Sequence, residues 1–559
     1  VGISIITKHS FNQNFKIMKT LFITGLLAAI SYGPISAQTT EVLSGDLSGV
    51  KELDPEVCYE LDGCYRVLSG GDLIIPAGTQ IRANSQASLI VYQGGQIFAN
   101  GTAANPVVFT SAQAVSSRAP GDWDGIYIAG YANTNQTTPS ISKSCPGIIA
   151  YGGSNNGDNS GTLQHVRIEY AGAAPTGDPQ VAALNLLGVG TGTTIDHVQI
   201  SYSRKDAYDL VGGKVGLSYL ESLNNYRTDL QISQGYTGNI QYLTAVRLDP
   251  NAHDNTATFS NGISIFNDGS GTTATPKTHP IISNATFFGP GYCGATPHTD
   301  FRAAVRLSLN AEAEIYNSVF TGWNTGLQIF DNSTINNANV NGSIKMEYNT
   351  FYANATNFTN SPANFDPTGT GCASTITNWM AGTPACMTDN LVRTTLSGYS
   401  STICGDYCST TPVMTLSDTN NVGLADSSWD INGDFDHTTY RGSLTNTDWS
   451  ATWSVWCPQQ AEYCSLSAMK SGKTQSLQFV PNPASSQTMV VFETEQTGRA
   501  QVSILDKITG AVARSVSAKI ENKGKQQISI SVSGLREGVY PVRVRLSDGQ
   551  VIAGQLTIK

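Results

Sequence analysis

Charge is what this sequence has least of. Only 13% of its 559 residues are Asp, Glu, Lys or Arg, against about 25% in an average globular chain. Helical bundles and coiled coils need Glu, Lys, Arg, Ala and Leu in quantity, so the composition argues against both. Basic residues are the scarcer kind, 32 against 42 acidic. The imbalance is local: residues 38–475 hold 19 basic and 36 acidic side chains, whereas 476–559 hold 10 and 6. A surface that negative repels phosphate backbones, which argues against nucleic acid as a partner and against broad binding of anionic polysaccharides. There is no GxSxG, no HExxH and no P-loop, so the common nucleophile, metalloprotease and nucleotide motifs are missing. No CxxC occurs, which removes the usual cysteine zinc site.

What the chain does have is glycine, 55 residues of it, with abundant Ser, Thr and Asn. From Gly71 onward, short β-rich stretches are broken by Gly, Asn and Asp. Leu163 to Ile168, Ile195 to Ile200, Leu217 to Leu220 and Ile240 to Leu243 are examples. Later ones are Ile281 to Phe288, Ile315 to Phe320 and Ile344 to Phe351. The step from Ile195 to Leu217 is 22 residues and from Leu217 to Ile240 it is 23. Strands recurring at such a period, with no helical pattern, predict a solenoid whose coils pair in parallel.

The start of the chain reads as a targeting segment. Met18-Lys19 precedes the apolar run Leu21 to Ile30, and Ile35-Ser36-Ala37 follows. That is a signal peptide over 18–37, with 1–17 as an untranslated leader. Ten apolar residues are too few to span a bilayer, and no later run is longer. The ten cysteines suit an oxidising compartment. Spacing groups Cys58 with Cys64, Cys372 with Cys386, Cys404 with Cys408 and Cys457 with Cys464, leaving Cys145 and Cys293. Connectivity itself cannot be read from sequence.

Several segments resemble right-handed parallel β-helix proteins exported by Bacteroidetes. They are Gly71-Asp72-Leu73-Ile74-Ile75-Pro76-Ala77-Gly78-Thr79, then Asn105-Pro106-Val107-Val108-Phe109-Thr110-Ser111, then Gly121-Asp122-Trp123-Asp124-Gly125-Ile126. In the last of these, Asp124 stands where the relatives have glycine. Tyr440-Arg441-Gly442 and Asp448 to Trp453 resemble the closing segment. The resemblance implies an all-β chain, with a parallel β-helix over 42–369 and Cys-rich final coils and a cap over 370–465. It covers 70–457, with a poor match near 355–425. Relatives often carry runs of paired acids in two adjacent coils. Here those stretches read Arg204 to Asp209 and Arg227 to Gln231, so any cation site they form in relatives is expected to be lost.

Residues 478–559 alternate apolar and polar, as in Val542-Arg543-Val544-Arg545. The pattern predicts a small antiparallel sandwich of about seven strands. Pro481-Asn482-Pro483, Gly510, Leu535, Gly538-Val539-Tyr540 and Lys559 resemble the C-terminal sorting domain of the type IX secretion system. Pro541 is a departure from the usual strand hydrophobe. The resemblance implies secretion to the cell surface or the medium, with type IX machinery as partner, and then release or attachment to surface lipopolysaccharide. The linker falls at 466–477.

Candidates for chemistry are few. Lys205, Asp206, Asp209, Arg227, Asp229, Arg302 and Arg306 are the charged residues a polysaccharide-acting site would draw on. The plainer reading makes them solvated charges at outward positions. His165 and His197 occupy the same place in two similar strands and are expected to stack, beside Arg167 and Gln199. Asp430, Asn432, Asp434 and Asp436 place oxygens at alternate positions, as calcium loops do. Gly433 comes one ligand early and Arg441 stands where the closing Glu would be, so an Asx-rich turn competes. Calcium is the one cofactor the sequence raises. Trp429, Trp449, Trp453 and Trp456 are expected to cap the open end of the solenoid, with stacking on sugars as the alternative. Together these features favour an exported, non-enzymatic protein of the adhesive, binding or surface-structural kind. The alternative is a polysaccharide lyase or glycoside hydrolase acting on extracellular glycans.

Overall fold

The computed structural model describes residues 40–464 and 477–559, apart from 146, 174–181, 255–259, 383–385, 388, 394–400, 406–407, 409–424, 445–447, 495–496, 506–511 and 547–550. The signal peptide read at 18–37, the leader at 1–17 and nearly all of the linker lie outside the described residues.

Parallel strands stack in three columns, one per side of a β-helix. One column runs from Val50–Glu52 through Asp72–Pro76 and Gln96–Asn100 to Ala313–Tyr316 and Ile344–Glu347. A second runs from Thr40–Leu47 and Cys58–Val67 through Gln80–Ala83 and Val107–Ser111 to Thr350–Tyr352 and Leu391–Arg393. The third holds Gly125–Ala129, Ala182–Leu187, Asp206–Val211, Leu230–Ser233, Ile263–Phe266, Ala303–Ser308, Thr325–Phe330 and Thr356–Ser361. Strands such as Gly161–Glu169 and Thr194–Ser201 serve the first column with one half and the second with the other.

The bend inside those strands has a residue-level cause. His165, His197, Tyr219, Tyr242, Asn284, Asn317 and Tyr348 all have φ between 47° and 61°. One left-handed residue turns the chain at this corner and throws its side chain outward. Alternate residues point inward, so Ile168, Ile200, Leu220, Leu243 and their equivalents form one continuous core along the axis. A single coil cannot bury that face, which is why the stack is the unit of stability. The coils continue to Arg393, within the stretch read as Cys-rich final coils.

The closing segment is not a cap at the end of the solenoid. Residues 425–444 and 448–464 turn back and run along the outside, from the last coils to the first. Asp426 meets Asn317, Asp436 meets Gln241, Val455 meets Gln199 and Tyr463 meets Glu169. Cys464 is bonded to Cys58 in the opening coils. The physical reason is the corner ladder, whose outward aromatic and amide side chains offer this strap a continuous surface.

Two of the five disulfides hold the strap, those of Cys457 and Cys464. Cys58 pairs with Cys464, Cys64 with Cys145, Cys293 with Cys404, Cys372 with Cys386 and Cys408 with Cys457. The groupings of Cys58 with Cys64, Cys404 with Cys408 and Cys457 with Cys464 are thereby corrected. Proximity in sequence misleads here because each coil and the returning strap bring distant segments side by side.

Residues 478–559 form two antiparallel sheets of three and four strands. Their shared core includes Val490, Phe492, Val502, Ile504, Tyr540, Val542 and Leu556. Asn482 accepts from the Thr557 amide through its side chain, and Tyr540 donates its hydroxyl to Arg536 O. Pairing of Gly538–Arg545 with Gly498–Leu505 stops at Val542, so the missing N–H of Pro541 falls just past that ladder. Among the described residues no helix is long and apolar enough to cross a membrane.

Candidate functional site

The strap decides which sides of the solenoid are open. Arg167, Gln199, Glu221, Thr244 and Thr286 form the outward row of the second column and are all buried. At the adjoining corner, the rings of His165, His197, Tyr219 and Tyr242 stack at 4.4, 4.5 and 4.7 Å, close to the spacing of paired strands. Trp453 meets His165 and His197 edge-on, and Trp449 meets Tyr219. Trp429 stacks on Tyr316 at 4.1 Å. Trp456 packs with Leu223, Val246 and Phe288. These tryptophans therefore seal a side of the solenoid instead of its end, and the expected histidine stack is part of that seam.

Asp430, Asn432, Asp434 and Asp436 are not brought together as ligands. Asp430 accepts backbone amides of Asp434 and Phe435 on its two oxygens, which holds it below the ordinary carboxylate range despite its burial. Asp436 instead reaches across to the Tyr242 hydroxyl. Asn432 and Asp434 are exposed. The geometry is a turn that ties the strap, with Arg441 anchored nearby on Asn349 O and Asp389.

Of the seven charges expected at solvated positions, the three carboxylates turn out to be buried. Asp206, Asp209 and Asp229 have relative exposures of 0, 4 and 0%. They sit where the chain passes from the second column to the third. Asp206 takes the Thr228 amide and lies 3.3 Å from Arg227 Nε. Asp229 takes the Ser222 hydroxyl and lies 3.0 Å from Arg247 Nε. Lys205 donates to Asp254 at 2.5 Å. Arg247, which sequence reasoning did not single out, is fully buried between Asp229 and the rings of Phe301 and Trp323. The other residue missed was Lys143. It is buried against Asp124 and the Tyr127 hydroxyl, under the hairpin of Ser140–Lys143 and Gly147–Ala150. The unusual Asp124 in the Gly-Asp-Trp-Asp motif was the signal that could have pointed to it.

Part of the third column stays open to solvent. Its outward row reads Asn185, Asp209, Gln231, Ser264, Arg306, Gln328 and Thr359, one residue per coil. The hairpin around Tyr151 covers the early part, packing on Leu187 and Val211. From Ser264 to Thr359 the row is only half-buried. Arg306 lies over the ring of Phe330 at 5.1 Å, and Phe330 is 40% exposed. Arg302 precedes the same strand and is exposed. Its charge, after burial, helps lower the Arg306 pKa. Asp209 donates nothing as a carboxylate but accepts from Gln231 at 3.2 Å. Burial, followed by Asp206, raises its pKa to about 7.

The pectate-lyase-like β-helix family matches residues 45–389. The chain belongs to that family. Its C-terminal part matches the secretion-system sorting domain over residues 478–559, so this β-helix protein is exported by the type IX route to the cell surface or beyond. No curated protein matches the chain. Among solved structures, the enzymatically active domain of tailspike protein 2 from bacteriophage CBA120 is 11% identical, with a TM-score of 0.20, covering 89% of this chain and 72% of that one.

Proposed function

We propose that this exported β-helix protein binds an extended glycan along the third column, on Ser264, Arg306, Gln328 and Thr359. The observation that carries the reading is the exposed Phe330 ring under Arg306, in line with a row of amides and hydroxyls. A flat apolar surface beside regularly spaced polar groups is what ligand recognition asks of an open face. The row spans three coil steps, roughly 14 Å. The protein acts at the surface or in the medium, and attachment of the body to lipopolysaccharide after tail cleavage belongs to the same proposal.

A catalytic reading has one observation in its favour. Burial, and then Asp206, push the Asp209 pKa up to about 7, toward the range of a general acid, although the side chain is buried. Screening purified protein on a glycan array, together with assays for new reducing ends and unsaturated products, separates the two. Binding reading: retention without turnover, weakened at least tenfold in Arg306→Ala and Phe330→Ala. Turnover abolished in Asp209→Asn would replace it, and binding unchanged in both face variants would end it.

A further inference from the structure

The stack of coils ends at Leu391–Arg393, but the strap carries the chain back to the opening coils before the sorting domain begins. From Leu391–Arg393 to Cys58–Val67 the second column counts ten strand steps, roughly 48 Å at the spacing of paired strands. The end of the strap is held there by several independent contacts. Cys464 is buried and bonded to Cys58, and its N–H donates to the Gln80 side chain. Arg118 donates to Pro458 O and Ala461 O at 3.0 and 2.7 Å and lies over the Tyr463 ring at 4.9 Å. The Tyr463 hydroxyl donates to Glu169 at 2.6 Å.

We infer that the strap sets the orientation of the protein on the cell: the pole of the opening coils faces the outer-membrane surface, and the glycan row faces away from it. The inference rests on the reading that the body stays attached at the surface after the tail is removed. An attachment made between the body and the sorting domain, which starts at residue 478, pulls on the residue where the chain leaves the folded body. That residue is Cys464. A covalent bond and the hydrogen bonds around it fix it to the early coils, so the point of attachment cannot move to the far pole.

The position of the ligand row gives this placement its use. Along the third column Ser264 stands six strand steps from Cys64 and Thr359 nine, roughly 29 and 43 Å. An extended ligand can then lie on the row without meeting the surface. A chain leaving the body at Arg393 would do the reverse, because Thr359 belongs to one of the last coils. The strap thus converts a C-terminal attachment into one at the N-terminal pole.

The test uses two native side chains. Lys51 and Lys345 lie at opposite ends of the first column, in Val50–Glu52 and Ile344–Glu347, and are 31 and 41% exposed. Whole cells carrying the wild-type protein are treated with a short amine-to-amine cross-linker, and links to outer-membrane components are mapped by mass spectrometry. A monofunctional amine reagent corrects for the reactivity of each lysine. Links from Lys51 are expected to exceed those from Lys345 by about fivefold or more, because effective concentration falls with distance from the tether. Attached protein linked equally through both lysines, or mainly through Lys345, overturns this inference alone. Protein found only in the medium overturns the attachment reading, and this inference with it.

Discussion

Gln199 holds Val455 by both backbone polar groups, 256 residues further along the chain. Its side-chain amide donates to Val455 O at 3.1 Å and accepts from Val455 N at 2.9 Å. Gln241 does the same to Asp436, and Asn317 to Asp426. Three amide side chains thus replace the missing strand partner of the strap, each satisfying one donor and one acceptor. Gln241→Ala is expected to cost about 1–3 kcal/mol, because the Asp436 backbone loses both partners. Gln241→Glu should be similarly costly, since a carboxylate cannot donate to Asp436 O. Urea denaturation of the two variants checks this. Equal stability to wild type would mean that water serves the strap as well as the clasp does.

The bond between Cys58 and Cys464 closes a loop across 406 residues. In the chain-entropy account, longer loops gain more from cross-linking, on the order of 2–5 kcal/mol. Cys58→Ser with Cys464→Ser should lower the melting temperature. Limited proteolysis should then cut first within 448–464, where the strap covers the early coils. Cleavage elsewhere first, with the strap intact, would show that the ring and amide contacts alone hold it.

Much of the architecture was legible in the sequence. The 22 and 23 residue steps from Ile195 to Ile240 came from one strand per coil, and alternation within 478–559 came from a two-sheet sandwich. The stack of His165 on His197 was legible because both precede a valine at the same place in paired strands. The strap was not. Its partners, Gln199, Gln241 and Asn317, are ordinary amides in sequence, and only the coil geometry lines them up. The same holds for most of the cysteines, although Cys372 does pair with its sequence neighbour Cys386 as the spacing suggested. Asp206, Asp209 and Asp229 looked like surface charges because their partners Arg227, Gln231 and Arg247 lie one coil away.

Glu221 is buried beneath the strap, and burial with the nearby Asp448 raises its pKa to about 8. Asp209 is raised to about 7. A carboxyl whose folded pKa exceeds its unfolded one stabilises the fold fully below the unfolded value, near 4. That contribution is lost as pH rises through the folded value. Stability should therefore fall between about pH 4 and pH 8, by a few kcal/mol for each group. Glu221→Gln should flatten the upper part of this fall and be more stable than wild type at pH 9. Urea midpoints measured across this range test it. A wild-type profile that rises toward pH 8 would contradict the burial argument.

Deleting 478–559 removes the sorting domain and leaves the β-helix core intact, since its own cluster contains no residue beyond Met387. The truncated protein should accumulate in the periplasm, folded and oxidised. Fractionation with a protease-accessibility assay on whole cells measures this. Surface display of the truncated chain would mean that export does not depend on the tail.

The claim that the third column is the ligand face is tested most directly by footprinting. Protein is labelled with hydroxyl radicals with and without a glycan that it retains, and the protected residues are mapped. Protection is expected on Arg306, Gln328 and Phe330, with no change at Trp449 or Trp453 in the strap. Protection confined to the strap, or to Trp449 and Trp453 with Phe330 still reactive, would contradict the account.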